Sequence, residues 1–270
     1  MIVLVRGGGD LASGVALRLH RAGLRVVITE LPQPLAIRRR VSFAEAVYNG
    51  ECSVEEINAR LVKDPTDTLR VLQIFAKNQI PVLIDPPGEA IKSLHPSVVV
   101  DGRMLKKRAE LIPTVVKLII GLGPGFVAGE NCHAVIETKR GHTLGRVIWK
   151  GESEIDSGIP ESVDARQAER VLRAPQAGIL VTQAEIGDHL EAGQTVAVVN
   201  GKEVIAPFKG VLRGLLHPGF EVWAGLKIGD VDPRDNPQHC TLVSDKSLAV
   251  GGGVLEAILS RTDLRPHLWQ

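Results

Sequence analysis

Three consecutive glycines behind an all-apolar run constrain this chain more than any other feature. Ile2-Val3-Leu4-Val5 has no polar position, so as a strand it must be buried on both faces, and Gly7-Gly8-Gly9 follows directly after Arg6. Leu11, Ala12, Val15, Ala16, Leu19 and Ala22 recur at helical spacing, and Gly23 stands where a helix commonly ends in the left-handed conformation. Arg25 to Thr29 then reads as a second strand. The turn carries the pattern Gly7-x-Gly9-x-x-Ala12 with Gly14. Such glycines let the chain turn tightly and let the backbone meet a phosphate, while the N–H groups opening the helix favour an anion. Glu30 closes the second strand roughly 20 residues further on, where a carboxylate can accept hydrogen bonds from a ribose. Rival readings exist. Asp10 places a carboxylate inside the turn and reads equally as a helix N-cap. Arg38-Arg39-Arg40 reads as a phosphate clamp or as a solvated basic turn. The whole turn has a structural reading as a ligand-free strand-to-helix connection.

The alternation continues with Asp67 to Lys77 as helix, Pro81 to Ile84 as strand, Glu89 to Leu94 as short helix and Val98 to Val100 as strand. Strands alternating with helices imply a parallel sheet with right-handed crossovers, so residues 1–105 are expected to form a Rossmann-like nucleotide-binding unit. Asp85 and Asp101 each end a strand at the sheet's carboxyl edge, where ligands of open α/β folds bind, and each is also a good turn residue. Residues 106–173 break into glycine loops and short strands (Val116 to Ile120, Ala134 to Thr138, Arg146 to Trp149), a mixed α/β region. Residues 174–233 show brief strands with turns at Gly187-Asp188, Gly193, Asn200-Gly201, Gly210, Pro218-Gly219 and Gly229-Asp230, which argues for a small all-β barrel. A polar linker and a helix over Leu248 to Ser260 fill 234–270. The fold class is therefore α/β, a parallel sheet plus a small barrel.

Composition narrows the function. A net charge of +1 from 32 basic and 31 acidic residues offers no long-range field for nucleic acid or an anionic membrane, so any anion site is local. No apolar run approaches the roughly 20 residues that span a bilayer. Cys52, Cys132 and Cys240 are odd in number and far apart, and Met1 leads straight into the first strand without a signal peptide's charged and apolar regions, so a reducing cytoplasm is the expectation. A homo-oligomer is compatible with all of this.

Gly121-x-Gly123-x-Gly125 follows an apolar strand and could form a second anion-binding nest. Cys132, His133 and His142 include metal-ligand types, but adjacent ligands converge poorly on one ion and no C-x-x-C pattern supports them, so no metal is assigned. No catalytic residue stands out.

Val5-Arg6-Gly7-Gly8-Gly9-Asp10-Leu11-Ala12-Ser13-Gly14, Thr29-Glu30-Leu31, Pro34 to Arg39 and Val41 to Val47 resemble one bacterial and archaeal family, the YqeB-like accessory proteins of the selenium-dependent molybdenum hydroxylase system. The resemblance continues through Gly121 to Phe126, Asn131 to Thr138, Arg140-Gly141-His142 and Gly229 to Arg234, and so covers nearly the whole chain. The glycine turn also looks distantly like that of xanthine dehydrogenase accessory factors. The resemblance implies cofactor maturation: the chain would bind a nucleotide-bearing ligand, either molybdenum cofactor (a pterin dinucleotide) or NAD(P), with a molybdenum hydroxylase apoprotein as partner. A nicotinamide-dependent oxidoreductase and a carrier or scaffold are the alternatives. Ala174-Pro175-x-x-Gly178, Ala206-Pro207-x-x-Gly210 and Gly219-x-x-Val222-x-x-Gly225 resemble biotinyl and lipoyl carrier barrels, with Lys202 near the tip that carries the modified lysine. Asn200-Gly201 leaves that hairpin shorter than a carrier's and without its methionines, so no covalent biotin or lipoate is expected.

Overall fold

The computed structural model describes residues 1–105, 107–111, 115–155 and 168–269. The chain divides into two compact units, Met1–Pro34 with Ser42–Asp156 and Val243–Gln270, and Leu35–Val41 with Ser157–Leu242.

The first unit holds β1 (Ile2–Arg6), β2 (Arg25–Glu30), β3 (Glu51–Val54), β4 (Ile57–Val62), β5 (Ile80–Ile84), β6 (Val98–Asp101), β7 (Leu118–Leu122), β8 (Val127–Ala128), β9 (Ala134–Ile136), β10 (Val147–Ile148) and β11 (Gly151–Glu152). Nine of them form one sheet in the order β10-β9-β7-β6-β1-β2-β5-β4-β3, and β8 pairs with β11. Pairing is parallel from β4 through β9 and antiparallel at the two ends. The apolar first strand lies at the middle, with Val5 opposite Ile28 on β2 and Val100 on β6. After β1 the chain builds outward through β2 and β5, then returns to β1's other side with β6. The strand order therefore reverses between β1 and β6.

Helices α1 (Asp10–Arg21), α2 (Ala46–Asn49), α3 (Thr68–Ala76), α4 (Ala90–Leu94) and α5 (Asp245–Ser260) complete the unit. The Asp67 carboxylate caps α3 by accepting from the Arg70 amide, and the Ser244 hydroxyl caps α5 by accepting from Ser247. Expected elements appear with ends shifted by a few residues. The β3–β4 hairpin has no counterpart in the sequence reading, because its strands carry Glu51, Asn58 and Arg60 at the sheet's rim and its turn uses Glu55 at φ 51° instead of a glycine.

Helix α5 packs on α1 through glycines. A Cβ on Gly14 would lie 2.5 Å from the Ser247 Cβ, and one on Gly251 would lie 3.0 Å from the Gly14 carbonyl oxygen. Gly253 is pressed onto the Gly145 carbonyl, 2.1 Å from where a Cβ would sit. Gly252 between them faces open space.

The second unit comprises β12 (Val171–Arg173), β13 (Gly178–Thr182), β14 (His189–Leu190), β15 (Thr195–Val199), β16 (Lys202–Ile205), β17 (Gly210–Leu215), β18 (Glu221–Val222) and β19 (Lys227–Asp232). They form two four-stranded antiparallel sheets, β12-β19-β17-β14 and β16-β15-β13-β18. Leu180, Val196, Val199, Val211, Leu212, Ile228 and Val231 share one apolar core with Ile37 against it. Asn200 (φ 47°) and Gly201 (φ 82°) make the two-residue β15–β16 turn, with both residues left-handed as a hairpin of this length requires. Lys202 follows at once, paired with Val199. No helix of the described residues is long and apolar enough to cross a membrane.

The glycine run of α5 gives a paired prediction. Gly252→Ala removes backbone entropy without a clash and should stabilise the protein by about 0.5–1 kcal/mol. Gly253→Ala drives a methyl into a carbonyl and should lower the melting temperature instead. Thermal melts of the two variants check both signs.

Candidate functional site

The three glycines of the turn serve three different ends. Gly7 (φ 91°) donates its N–H to the Thr29 carbonyl at 2.8 Å, and a Cβ on it would lie 3.4 Å from the Gly102 backbone behind β6. Gly8 is held on both its backbone groups. Its N–H donates to Glu30 Oε1 at 2.6 Å, while its carbonyl accepts from the Ala44 N–H at 2.9 Å and the Ser13 hydroxyl at 2.8 Å. Ser13 Oγ in turn accepts from the Phe43 N–H at 2.8 Å. Gly9 is the N-cap of α1, at φ −70° and ψ 177°, with no side-chain cap, and nothing lies within 4 Å of where its Cβ would be. A helix start leaves its first amides without intrahelical acceptors. Of the three glycines, Gly9 alone leaves the space beside its α-carbon open.

Asp10 Oδ1 accepts from the Ser247 hydroxyl at 2.8 Å, so it is drawn toward the start of α5, and Gly14 faces the same residue. Glu30 stays beside the turn. Its second oxygen accepts from the Leu31 N–H at 2.8 Å, and burial pushes its carboxyl above the ordinary range against the pull of the Gly8 and Leu31 amides.

Asp101 is buried at the end of β6 and binds two guanidiniums, Arg6 Nη1 at 3.2 Å and Arg103 Nη2 at 2.7 Å. Burial lowers the Arg6 pKa, with Asp101 opposing; Arg103, Asp85 and Glu110 also lie within electrostatic reach. Charge here is mixed, so an incoming anion would meet backbone amides more than a net positive field. Asp85 is spent locally, its carboxylate accepting from the amides of Gly88, Glu89 and Ala90 at the start of α4.

The second glycine loop follows β7 and so lies at the same carboxyl edge as Gly7, since β7, β6 and β1 are parallel. Its glycines answer to packing. A Cβ on Gly121 would fall 2.0 Å from the Phe126 ring, one on Gly123 2.5 Å from Thr138 Oγ1, and one on Gly125 2.6 Å from the Lys107 carbonyl. Asn131 pins the loop by donating to the Gly125 and Ala109 carbonyls at 3.1 Å. Burial raises the Cys132 thiol to about 11, the neighbouring His133 accepts the Ile119 N–H at Nδ1, and His142 is exposed. No group of three or more His, Cys, Asp or Glu among the described residues could hold a metal ion.

Sequence reasoning missed Arg6, Ser13, Gly102 and Arg103. Gly102 touches both Gly7 and Ala12: a Cβ on it would come 2.9 Å from the Ala12 Cβ. The dipeptide Asp101-Gly102 directly behind an apolar strand was the available signal.

Fold and site together define a mixed α/β protein whose glycine turn opens at the carboxyl edge of a mostly parallel sheet. Within that class the chain is YqeB-like: it is 43% identical over 258 residues, 96% of its length, to the uncharacterized protein YqeB of Escherichia coli K12. It spans about half the length of that relative, 47%. No protein-family model matches. Among solved structures, an aspartoacylase family protein from Mesorhizobium loti is 10% identical, with 85% of this chain and 84% of that chain covered and a TM-score of 0.27. The ectoine utilization protein EutE of Ruegeria pomeroyi is 21% identical, with 31% and 28% covered and a TM-score of 0.22. Overlaps this slight carry no argument.

Glu30 offers a pH test of the site. A carboxyl whose pKa is raised by folding binds its proton more tightly in the native state, so its contribution favours folding below the unfolded value and is lost as pH rises through the folded value. Urea melts from pH 4 to 7 should show wild type losing stability relative to Glu30→Gln as pH climbs; a difference independent of pH would contradict this placement.

Proposed function

We propose that the chain is an accessory protein for the maturation of a selenium-dependent molybdenum hydroxylase, and that its first unit binds a nucleotide-bearing ligand, molybdenum cofactor or its dinucleotide form, at the glycine turn. The observation that carries this reading is the open backbone of Gly9 at an uncapped helix start, one strand from the Glu30 carboxylate. A ligand phosphate approaches Gly9 and the first turn of α1, because the Gly8 amide is already taken by Glu30. Ribose hydroxyls donate to the remaining lone pairs of Glu30. Supporting the Rossmann-like assignment, β5, β2, β1, β6, β7 and β9 follow the order of a dinucleotide-binding sheet, and the turn sits where that order reverses. The identity to YqeB supports the family, while the hydroxylase link rests on the resemblance of the motifs. In the second unit, the two antiparallel sheets fit a small barrel like those of biotinyl and lipoyl carriers, used here as a spacer or docking face.

Native mass spectrometry of the protein purified from cells that make molybdenum cofactor is the test. It should show a retained nucleotide or pterin dinucleotide. Gly9→Val has room to fold and an ordinary φ, so it should fold with no more than about 1 kcal/mol lost at the N-cap yet bind at least about tenfold more weakly. Equal retention by both proteins would overturn the assignment of the site.

A further inference from the structure

We propose that the sheet β16-β15-β13-β18 of the second unit is a docking face for a partner's short amphipathic helix, apolar along one side and carrying lysine or arginine at both ends. The inference rests on the second unit serving as a docking face and needs no ligand at the glycine turn. An antiparallel sheet packed on one side normally turns apolar residues to the core and polar ones to water. This sheet breaks that alternation. Leu180, Val199, Val204 and Val222 are buried in the apolar core. On the opposite face Ile179, Val181, Ile205 and Trp223 are 52%, 54%, 50% and 56% exposed.

Strand register joins these side chains into one patch. Val181 stands opposite Val198 across β13 and β15, and Val198 stands opposite Glu203, which makes Ile205 its diagonal neighbour. At the other end Ile179 stands opposite Glu221, so Trp223, two residues on, is diagonal to Ile179 and within reach of it. The unit's other sheet, β12-β19-β17-β14, has the cover that this one lacks: β17 is buried along its length, and the segment at Ile37 lies over it, packed where a Gly214 Cβ would be and accepting the Leu215 N–H at 2.9 Å. No described residue covers Ile179, Val181, Ile205 or Trp223 to that degree. A continuous apolar patch with an exposed tryptophan is the usual mark of a protein-binding surface.

Charge selects the occupant. The outward strand positions carry Glu203 on β16 and Glu221 on β18, one acid on each outer strand, and no lysine or arginine. Lys202 is in register with the buried Val199 and so belongs to the other face. A second copy of this face would bring four carboxylates into one interface, and nucleic acid or an anionic membrane would meet the same acids, so each of these is opposed where a cationic partner is favoured. The two outer strands lie three strand spacings apart, about 14 Å. A helix rises about 1.5 Å per residue, so roughly ten residues cross the patch and set one base against Glu203 and another against Glu221. Apolar side chains one and two turns apart on such a helix meet the row from Trp223 to Ile205.

Fluorescence anisotropy of labelled synthetic peptides, titrated with the full chain, provides the test. One peptide is an amphipathic helix with a leucine face and lysines at both ends, a second has glutamates at those ends, and a third has the lysines but its leucines dispersed around the helix. The first should bind at least about tenfold more tightly than either of the others, and more weakly as salt rises. Trp223→Ala and Val181→Lys, both at exposed positions, should each weaken it by at least about tenfold, and the double variant Glu203→Gln, Glu221→Gln should erase the preference for lysine over glutamate ends. Gly9→Val should bind the peptide like wild type, so failure of the docking face and failure of the glycine turn are read apart. The proposal is overturned if the three peptides bind alike or not at all at submillimolar concentration, or if folded Trp223→Ala and Val181→Lys bind like wild type. It is also overturned if those variants abolish a dimer seen by light scattering or co-sedimentation with phosphatidylcholine vesicles, results that give the face to a second copy or to lipid.

Discussion

Both backbone groups of Gly8 are claimed at once, and the first unit is organised around that fact. Its N–H binds the carboxylate at the end of β2, and its carbonyl binds the segment that leads into α2 and the first turn of α1. A side chain is impossible there, because its Cβ would stand 2.9 Å from the Ala44 nitrogen. Since Ser13 passes the same carbonyl on to Phe43, the turn, the helix and the 42–44 segment are joined by one chain of hydrogen bonds. Groups linked in a low-dielectric interior reinforce one another, so the shape of the turn is fixed without any ligand.

That rigidity explains how one residue can be left open. With Gly7 packed on Gly102 and Gly8 closed off, only Gly9 of the three presents its α-carbon to free space. Helix α5 supports the other side of α1, where Gly14 and Gly251 allow the two backbones to approach and Ser247 draws the Asp10 carboxylate aside. Diverting Asp10 matters electrostatically. A carboxylate aimed into the helix start would oppose any anion that approached those amides.

Much of this was legible in the sequence, and the reasons differ by element. The strand-turn-helix-strand opening was readable because an all-apolar run, a glycine cluster and a helical repeat agree, and the same pattern put Glu30 at the end of the second strand. In the second unit, Asn200-Gly201 announced its own hairpin. The β3–β4 hairpin was hidden, since rim strands keep polar residues and its turn uses Glu55. The roles of single glycines were hidden too. Nothing in Gly121-x-Gly123-x-Gly125 distinguishes an anion nest from room for Phe126, Thr138 and a neighbouring carbonyl, because that depends on residues brought close only by folding. The same holds for Arg38-Arg39-Arg40, whose surroundings come from β17, β19 and the turn at Cys240, some 200 residues downstream as Arg38 and His239 mark it.

The glycine turn, and not the second loop, is the proposed meeting place of the nucleotide. Amide chemical shifts recorded while CTP or NAD is titrated into the labelled protein test it most directly. Saturable shifts are expected at Gly8, Gly9, Asp10, Leu11 and Leu31, with Gly123 and Gly125 unmoved; shifts confined to Gly121 to Gly125, or none at the turn at saturating ligand, would contradict the proposal.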